Sequence, residues 1–318
     1  MSSLYLPYET GDMGGRPLLP GVKFWSSPAI FLTTGSIDPS TYEYGVQNVI
    51  EVVVQENYQH EGDQIPNVFV EVWVCDPATI VGPDQALNPS QPAPASKCLT
   101  GYGGWGGGFS VLVQVPGFVP YPGMSSRPGG HACLIANCYG SNSVSGHPIT
   151  DGQSLINSTT ADFMSLVQDN AHVAQRNLFA EAMSGSGKNP PRRLSFPFNA
   201  VAAVRKGEEK VILEIESVSV DKALTKDDLS FLRKGRYRDL RLHPSRTPLK
   251  ALAIEGGHGG PAKSISIELH AGHPVPLSIL AELGPGDHEP GGVHVLNVIQ
   301  KATSGRVQGG IHLLGVVT

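Results

Sequence analysis

The histidines are the first residues to weigh for chemistry, because the 318-residue chain carries 11 of them. His270 and His273 lie three apart, and Asp287, His288 and Glu289 share a Pro/Gly-rich turn with His294 just beyond. Imidazole and carboxylate donors converging from two neighbouring strands would suit zinc or nickel. The spacing matches no recognised ligand signature, and solvated turn residues account for it more simply. His270, His273, His288 and His294 therefore stand as weak metal candidates, and no metal or cofactor is expected.

Nucleophilic and phosphate-binding motifs fare worse. A serine nucleophile wants a sharp G-x-S-x-G turn between strand and helix. GSNSVSG at 140–146 lacks its first glycine at the right offset, and nothing helical follows directly. His258 in EGGHGGPAK faintly resembles an oxyanion loop, yet reads more simply as a Gly-rich turn. SGSGK at 184–188 would need its first phosphate-loop glycine at Ala182, and Asn189 stands where a magnesium-binding Ser or Thr belongs. Asp63, Asp76, Asp84 and Asp151 are scattered rather than set at calcium-loop spacing. Asn157-Ser-Thr is a glycosylation sequon in form only. No catalytic residue is expected, and the chain is read as non-enzymatic.

Two clusters suit binding instead. Arg233, Lys234, Arg236, Arg238, Arg241, Arg246 and Lys250 set seven cations against Asp239 in a chain of net charge −5. That pattern fits docking to an acidic surface, including that of a second copy; its plainer reading is a solvated helix end and loop. The second cluster is GYGGWGGG, where Tyr102 and Trp105, with Tyr121 near Phe118, would supply aromatic platforms for a glycan or another surface.

The elements that must position these groups are strands. Charged residues make up 16% of the chain, against roughly 25% in an average soluble domain. Gly (38) and Pro (26) together form about a fifth of it. Such a composition opposes helices and suits short strands joined by tight turns. Net acidity argues against nucleic acid, and no apolar run nears the ~20 residues of a membrane-spanning helix. MSSLYLPYETGDMGG lacks a basic start and an apolar segment, so no secretory signal is expected; the compartment is left open between the cytoplasm and a non-classical exit.

Alternation places strands at 29–34, 46–56, 68–75, 109–115, 132–138 and 172–179, the second and third read as a hairpin. Val68, Val70, Val72 and Val74 share one face of the third, opposite Phe69, Glu71 and Trp73. Seven more follow at 194–203, 210–220, 249–255, 264–270, 275–283, 293–302 and 307–317, the count of an immunoglobulin-like sandwich. Residues 1–22 read as an extended arm, 76–108 as an irregular insertion and 184–193 as a linker. Two short helices are expected, one capped by Thr159 with Asp162 and one over 226–234 after Thr225. Among Cys75, Cys98, Cys133 and Cys138, a Cys75–Cys98 disulfide is one reading and buried thiols the other.

Asn48-Val-Ile-Glu-Val-Val-Val, Val68-Phe-Val-Glu-Val-Trp-Val and the element Asp169-Asn170-Ala171-His172-Val173-Ala174-Gln175-Arg176-Asn177 resemble bacterial immunoglobulin-fold modules of the cell-adhesion-related, CARDB-like group. The likeness covers residues 24–180, with HACLIANCYG as the strand before the closing element; it departs from the pattern at Ala171 and in the long insertion. It implies an adhesion-type, non-catalytic module and brings no catalytic residues.

The expectation is thus an all-β chain of two tandem immunoglobulin-like sandwiches, 23–183 and 194–318, behind the arm. Its expected role is structural: a building block of a homomeric or multicomponent assembly, with a carbohydrate- or surface-binding adhesin as the alternative.

Overall fold

A computed structural model describes residues 3–19, 22–33, 36–38, 41–57, 67–87, 93–99, 109–119, 131–142, 149–155, 157–159, 166–183, 193–202, 209–217, 224–246, 249, 251–256, 259–270, 273–283 and 289–318. The chain is all-β, with one α-helix bounded among the described residues. In chain order the first strands are β1 (Ser3–Tyr5), β2 (Ile30–Leu32), β3 (Ser36–Asp38), β4 (Thr41–Tyr42), β5 (Asn48–Asn57) and β6 (Asn67–Cys75). β7 (Ala93–Leu99), β8 (Phe109–Phe118), β9 (Cys133–Asn142), β10 (Ile149–Asp151) and β11 (Val173–Arg176) follow. Then come β12 (Leu178–Met183), β13 (Arg193–Ala200), β14 (Lys210–Ser217), helix α1 (Lys226–Arg233) and β15 (His243–Pro244). β16 (Ala251–Gly256), β17 (Gly259–Ala262), β18 (Ser264–Glu268), β19 (Val275–Glu282), β20 (Gly292–Ala302) and β21 (Val307–Val317) complete the chain.

Two compact units result, 1–36 with 40–75 and 81–176, and 37–39 with 76–80 and 177–318. In the first, β5 pairs with β8 on one side and with β1 and β2 on the other. The facing sheet runs β10–β9–β6–β7, with β11 also on β9. Ile50, Val52 and Val54 of β5 meet Val68, Val70 and Val72 of β6 across a core closed by Leu4, Leu6, Leu134 and Ala136. Each such aliphatic side chain taken from water contributes about 1.5–3 kcal/mol.

Several expectations are corrected here. β5 and β6 are not hairpin partners: they lie in opposite sheets, because their alternating apolar faces meet across the core rather than edge to edge. The amino-terminal segment lies on its own unit, where β1 pairs with β5 and Leu4 and Leu6 are buried. The 76–108 stretch is not irregular throughout: Ala93–Leu99 pairs with β6. On the other face of β6, Glu71 and Trp73 are as buried as Val68, Val70 and Val72. Of the helix expected after Thr159, residues 160–165 lie outside the described set.

In the second unit, β12–β21–β20–β14–β18 packs on β13–β19–β16–β17. Val211, Leu213, Leu296, Val298, Ile311 and Leu313 face Phe196, Phe198, Ile254, Leu277 and Ile279. The strand expected over 172–179 is broken at Asn177, whose Nδ2 donates to Ala78 O (2.6 Å) and Gly310 O (2.8 Å). β12 accordingly runs parallel to β21, while β11 stays antiparallel to β9. The units therefore divide at Arg176/Asn177, upstream of the expected 184–193 linker, whose residues 184–192 are not described.

Segment 76–80 seals the second unit. Ala78 bridges Asn199 in parallel, and Gln300 donates to Val201 O (2.8 Å) and Gln308 Oε1 (2.9 Å) beside the Thr79 hydroxyl. Gly309 permits this approach, because a Cβ there would lie 2.2 Å from Thr79 O.

Candidate interaction surface

α1 begins with a complete capping box. Thr225 Oγ1 accepts from Asp228 N (3.1 Å), and Asp228 Oδ2 accepts from Thr225 N (2.9 Å). Asp227 and Asp228 favour the helix start and Arg233 its end, complementing the dipole. Phe231 and Leu232 then press on Leu178, Ala180, Val293, Val295, Leu314 and Val316, the face of β12, β21 and β20 turned away from the main core. Tyr237, buried in the following turn, extends that contact.

One polar group lies within this apolar contact. His312 of β21 stands opposite Asn297 of β20, with Nδ1 2.7 Å from Asn297 Oδ1 and Nε2 2.9 Å from Asp228 Oδ1. Asn297 in turn donates to Glu216 Oε2 (3.4 Å), which fixes the amide so that its oxygen faces the ring. The ring thus meets an acceptor at each nitrogen, the arrangement a doubly protonated imidazolium satisfies. Burial alone would push the Asp228 carboxyl up, but the His312 charge, its hydrogen bond and the Thr225 contacts outweigh burial and hold the group below its ordinary range.

The cations stand on this backing. Arg233, Lys234, Arg236, Arg238, Arg241 and Arg246 are all exposed, while Gly235 and Tyr237 between them are buried. Arg236 Nη2 donates to Ala180 O (3.1 Å), and its guanidinium lies 4.9 Å from the Tyr237 ring centroid. Arg238 Nε is 3.6 Å from Asp239, a solvated pair worth little. Beyond the turn, β15 pairs with β20, and Gly291 (φ 89°) comes so close that a Cβ would sit 2.3 Å from Arg241 O. The segment 226–246 is therefore a fixed platform whose outer face is rich in arginine, the residue whose planar fork matches carboxylate and phosphate groups.

Other sequence candidates scatter. His270 and His273 are exposed, and His273 N donates to His270 O (3.0 Å). Both lie past the Ala302 end of the sheet, since Glu268 pairs with Lys210 and Val211 with Ala302. His294 is eight residues up β20, about 26 Å away at strand rise. These histidines do not converge, and among the described residues no three metal-ligating side chains cluster. His288, Lys250, Tyr102 and Trp105 lie outside the described residues.

In the first unit, His172 Nε2 lies 2.9 Å from Asp151 Oδ1, and Cys138 is next to both. These are residue types of a thiol nucleophile site. Burial, reinforced by the Asp151 charge, pushes the Cys138 thiol well up, however, the opposite of what a thiolate needs. Glu71 is another buried carboxylate, accepting from Asn137 Nδ2 (3.0 Å), Leu155 N (2.8 Å) and the Ser154 hydroxyl. Both groups tie loops to the sheet.

Comparison with known proteins adds a likeness to solved structures alone. No family model matches the chain, and no curated protein matches it. Among solved structures, the CupB6 tip adhesin from Pseudomonas aeruginosa aligns over 92% of this chain and 97% of its own at 10% identity, with a TM-score of 0.24.

Proposed function

We propose that this chain is a non-enzymatic building block of a larger protein assembly, and that copies dock through the cationic face of α1, the turn after it and β15. The observation that carries the reading is the platform itself: six exposed cations on a backbone pinned by a capping box, a buried Asp228–His312 pair and two strand contacts. A solvated loop has no need of that rigidity, whereas a docking surface gains affinity from it by having less to order on binding. The partner's chemistry follows from charge. The chain is net −5 with this cluster included, so the rest of its surface is more acidic still. A second copy therefore offers the complementary carboxylates, and the contact is heterologous, of the kind that builds rings or filaments.

Within this reading each unit is an immunoglobulin-like sandwich and the first is CARDB-like. In support, the strands bearing the Asn48 and Val68 motifs and the Asp169–Asn177 element, apart from its last residue Asn177, fall in one unit. The surface-binding alternative rests on Tyr102 and Trp105, and a glycan array tests it. Negative-stain microscopy with light scattering tests the main proposal: rings, tubes or filaments are expected, and a strictly monomeric particle at every concentration would overturn it.

A further inference from the structure

The four cysteines differ in what the sheet allows them to reach. Antiparallel pairing of β6 with β9 sets Cys75 directly opposite Cys133, the last residue of one strand against the first of the other. Directly opposed residues in an antiparallel ladder have Cα atoms about 4.5 or 5.5 Å apart, depending on the type of pair. Both values fall inside the roughly 4.4–6.8 Å window of disulfides. Their side chains also share a face. Val70 pairs with Cys138 on the core face, so Cys75 and Cys133, each an odd number of residues away, point to the other.

Two other combinations fail. Cys98 pairs with Val68, seven residues from Cys75 along β6, or about 23 Å at strand rise. That removes the Cys75–Cys98 bridge considered from sequence. Cys133 and Cys138 are five apart on one strand and face opposite ways. Both Cys75 and Cys133 are fully buried thiols, and the Cys75 thiol donates to Gly82 O at 3.6 Å. Their place at the end of the ladder lets local fraying expose them at low cost.

We propose that Cys75 and Cys133 form a cross-strand disulfide site, oxidised by a small-molecule disulfide of the glutathione type. One cysteine, as thiolate, attacks the oxidant's sulfur, breaking its S–S bond and releasing one small thiol. The second attacks the mixed disulfide, forming the Sγ–Sγ bond and releasing the other small thiol. The two protein protons and two electrons leave on the two released thiols. The bond closes the chain between β6 and β9, a loop long enough to raise the first unit's melting temperature by roughly 5–10 °C.

The test is refolding of the full chain from urea in a glutathione redox buffer, so that burial cannot block the reaction. Acid trapping, alkylation and peptide mapping follow. The expected product has lost two hydrogens and links the peptides of Cys75 and Cys133, in wild type and in Cys98→Ala and Cys138→Ala alike, and Cys133→Ala lacks it. Linkage of any other pair overturns the proposal, as does recovery of folded protein with both thiols alkylated across oxidising buffers. Peptide mapping of wild type decides the matter even where a variant fails to fold.

Discussion

Removing the Asp228 carboxylate is the sharpest perturbation of the platform. In Asp228→Ala, His312 keeps its Asn297 contact but loses the acceptor at Nε2, and Thr225 N loses the partner that completes the capping box. The Asp228 and His312 side chains are 5% and 6% exposed, so water cannot replace what is lost. Breaking a buried pair from one side costs about 3–5 kcal/mol, of which the cap accounts for about 1 kcal/mol. The helix docks through only a few apolar side chains, so the loss concentrates in α1. Hydrogen exchange of residues 229–234, read by mass spectrometry, is expected to quicken by roughly two to almost four decades, at 1.36 kcal/mol per decade. The pH dependence carries a definite sign. The folded carboxyl titrates below its ordinary value of 3.8, so its contribution is full above that pH and is lost as pH falls through the lowered value. Wild-type protection of α1 should therefore fall in acid below about pH 3.8, and the variant should lack that component. Protection within about threefold of wild type in Asp228→Ala, or an unchanged acid profile, would refute the reasoning.

Three further outcomes follow from single contacts. Gly309→Ala places a Cβ 2.2 Å from Thr79 O, a backbone atom that cannot swing aside; urea unfolding should show a loss of about 2 kcal/mol or more. Gly15→Ala meets nothing within 4 Å and should be nearly neutral in the same assay. Glu71→Gln replaces the charged acceptor of Asn137 Nδ2, Leu155 N and the Ser154 hydroxyl with a neutral amide that has one acceptor oxygen, so the first unit should lose about 1–3 kcal/mol, followed by fluorescence of the buried Trp73.

Strand composition was legible almost residue for residue where alternation met a two-layer core. Val307–Val317 coincides with the expected strand, and Lys210, Ser264 and Val275 begin theirs as read. Thr225 at the start of TKDDLSFL also announced α1. Partnership between strands was not legible, because an apolar face looks the same whether it meets a neighbour in its own sheet or one across the core. That is why β5 and β6 were read as a hairpin. Asn177 hid the unit boundary for a related reason: its side-chain amide serves two carbonyls distant in sequence, which no local pattern reports. The exposed cations were legible as a charge run. Their support was not, since His312 sits in an apolar strand and meets Asp228 only through the fold.

Sedimentation of a charge-reversed variant tests the central claim most directly. Arg238→Glu with Arg241→Glu changes two exposed side chains and leaves the capping box, Tyr237 and the Asp228–His312 pair in place. At low ionic strength, about 0.01 M, where charges act over roughly 30 Å, the wild type should sediment as an assembly. It should dissociate toward monomer near 1 M salt, and the variant should be monomeric in both. A variant that assembles like wild type, or a wild type whose assembly ignores salt, would contradict docking through this face.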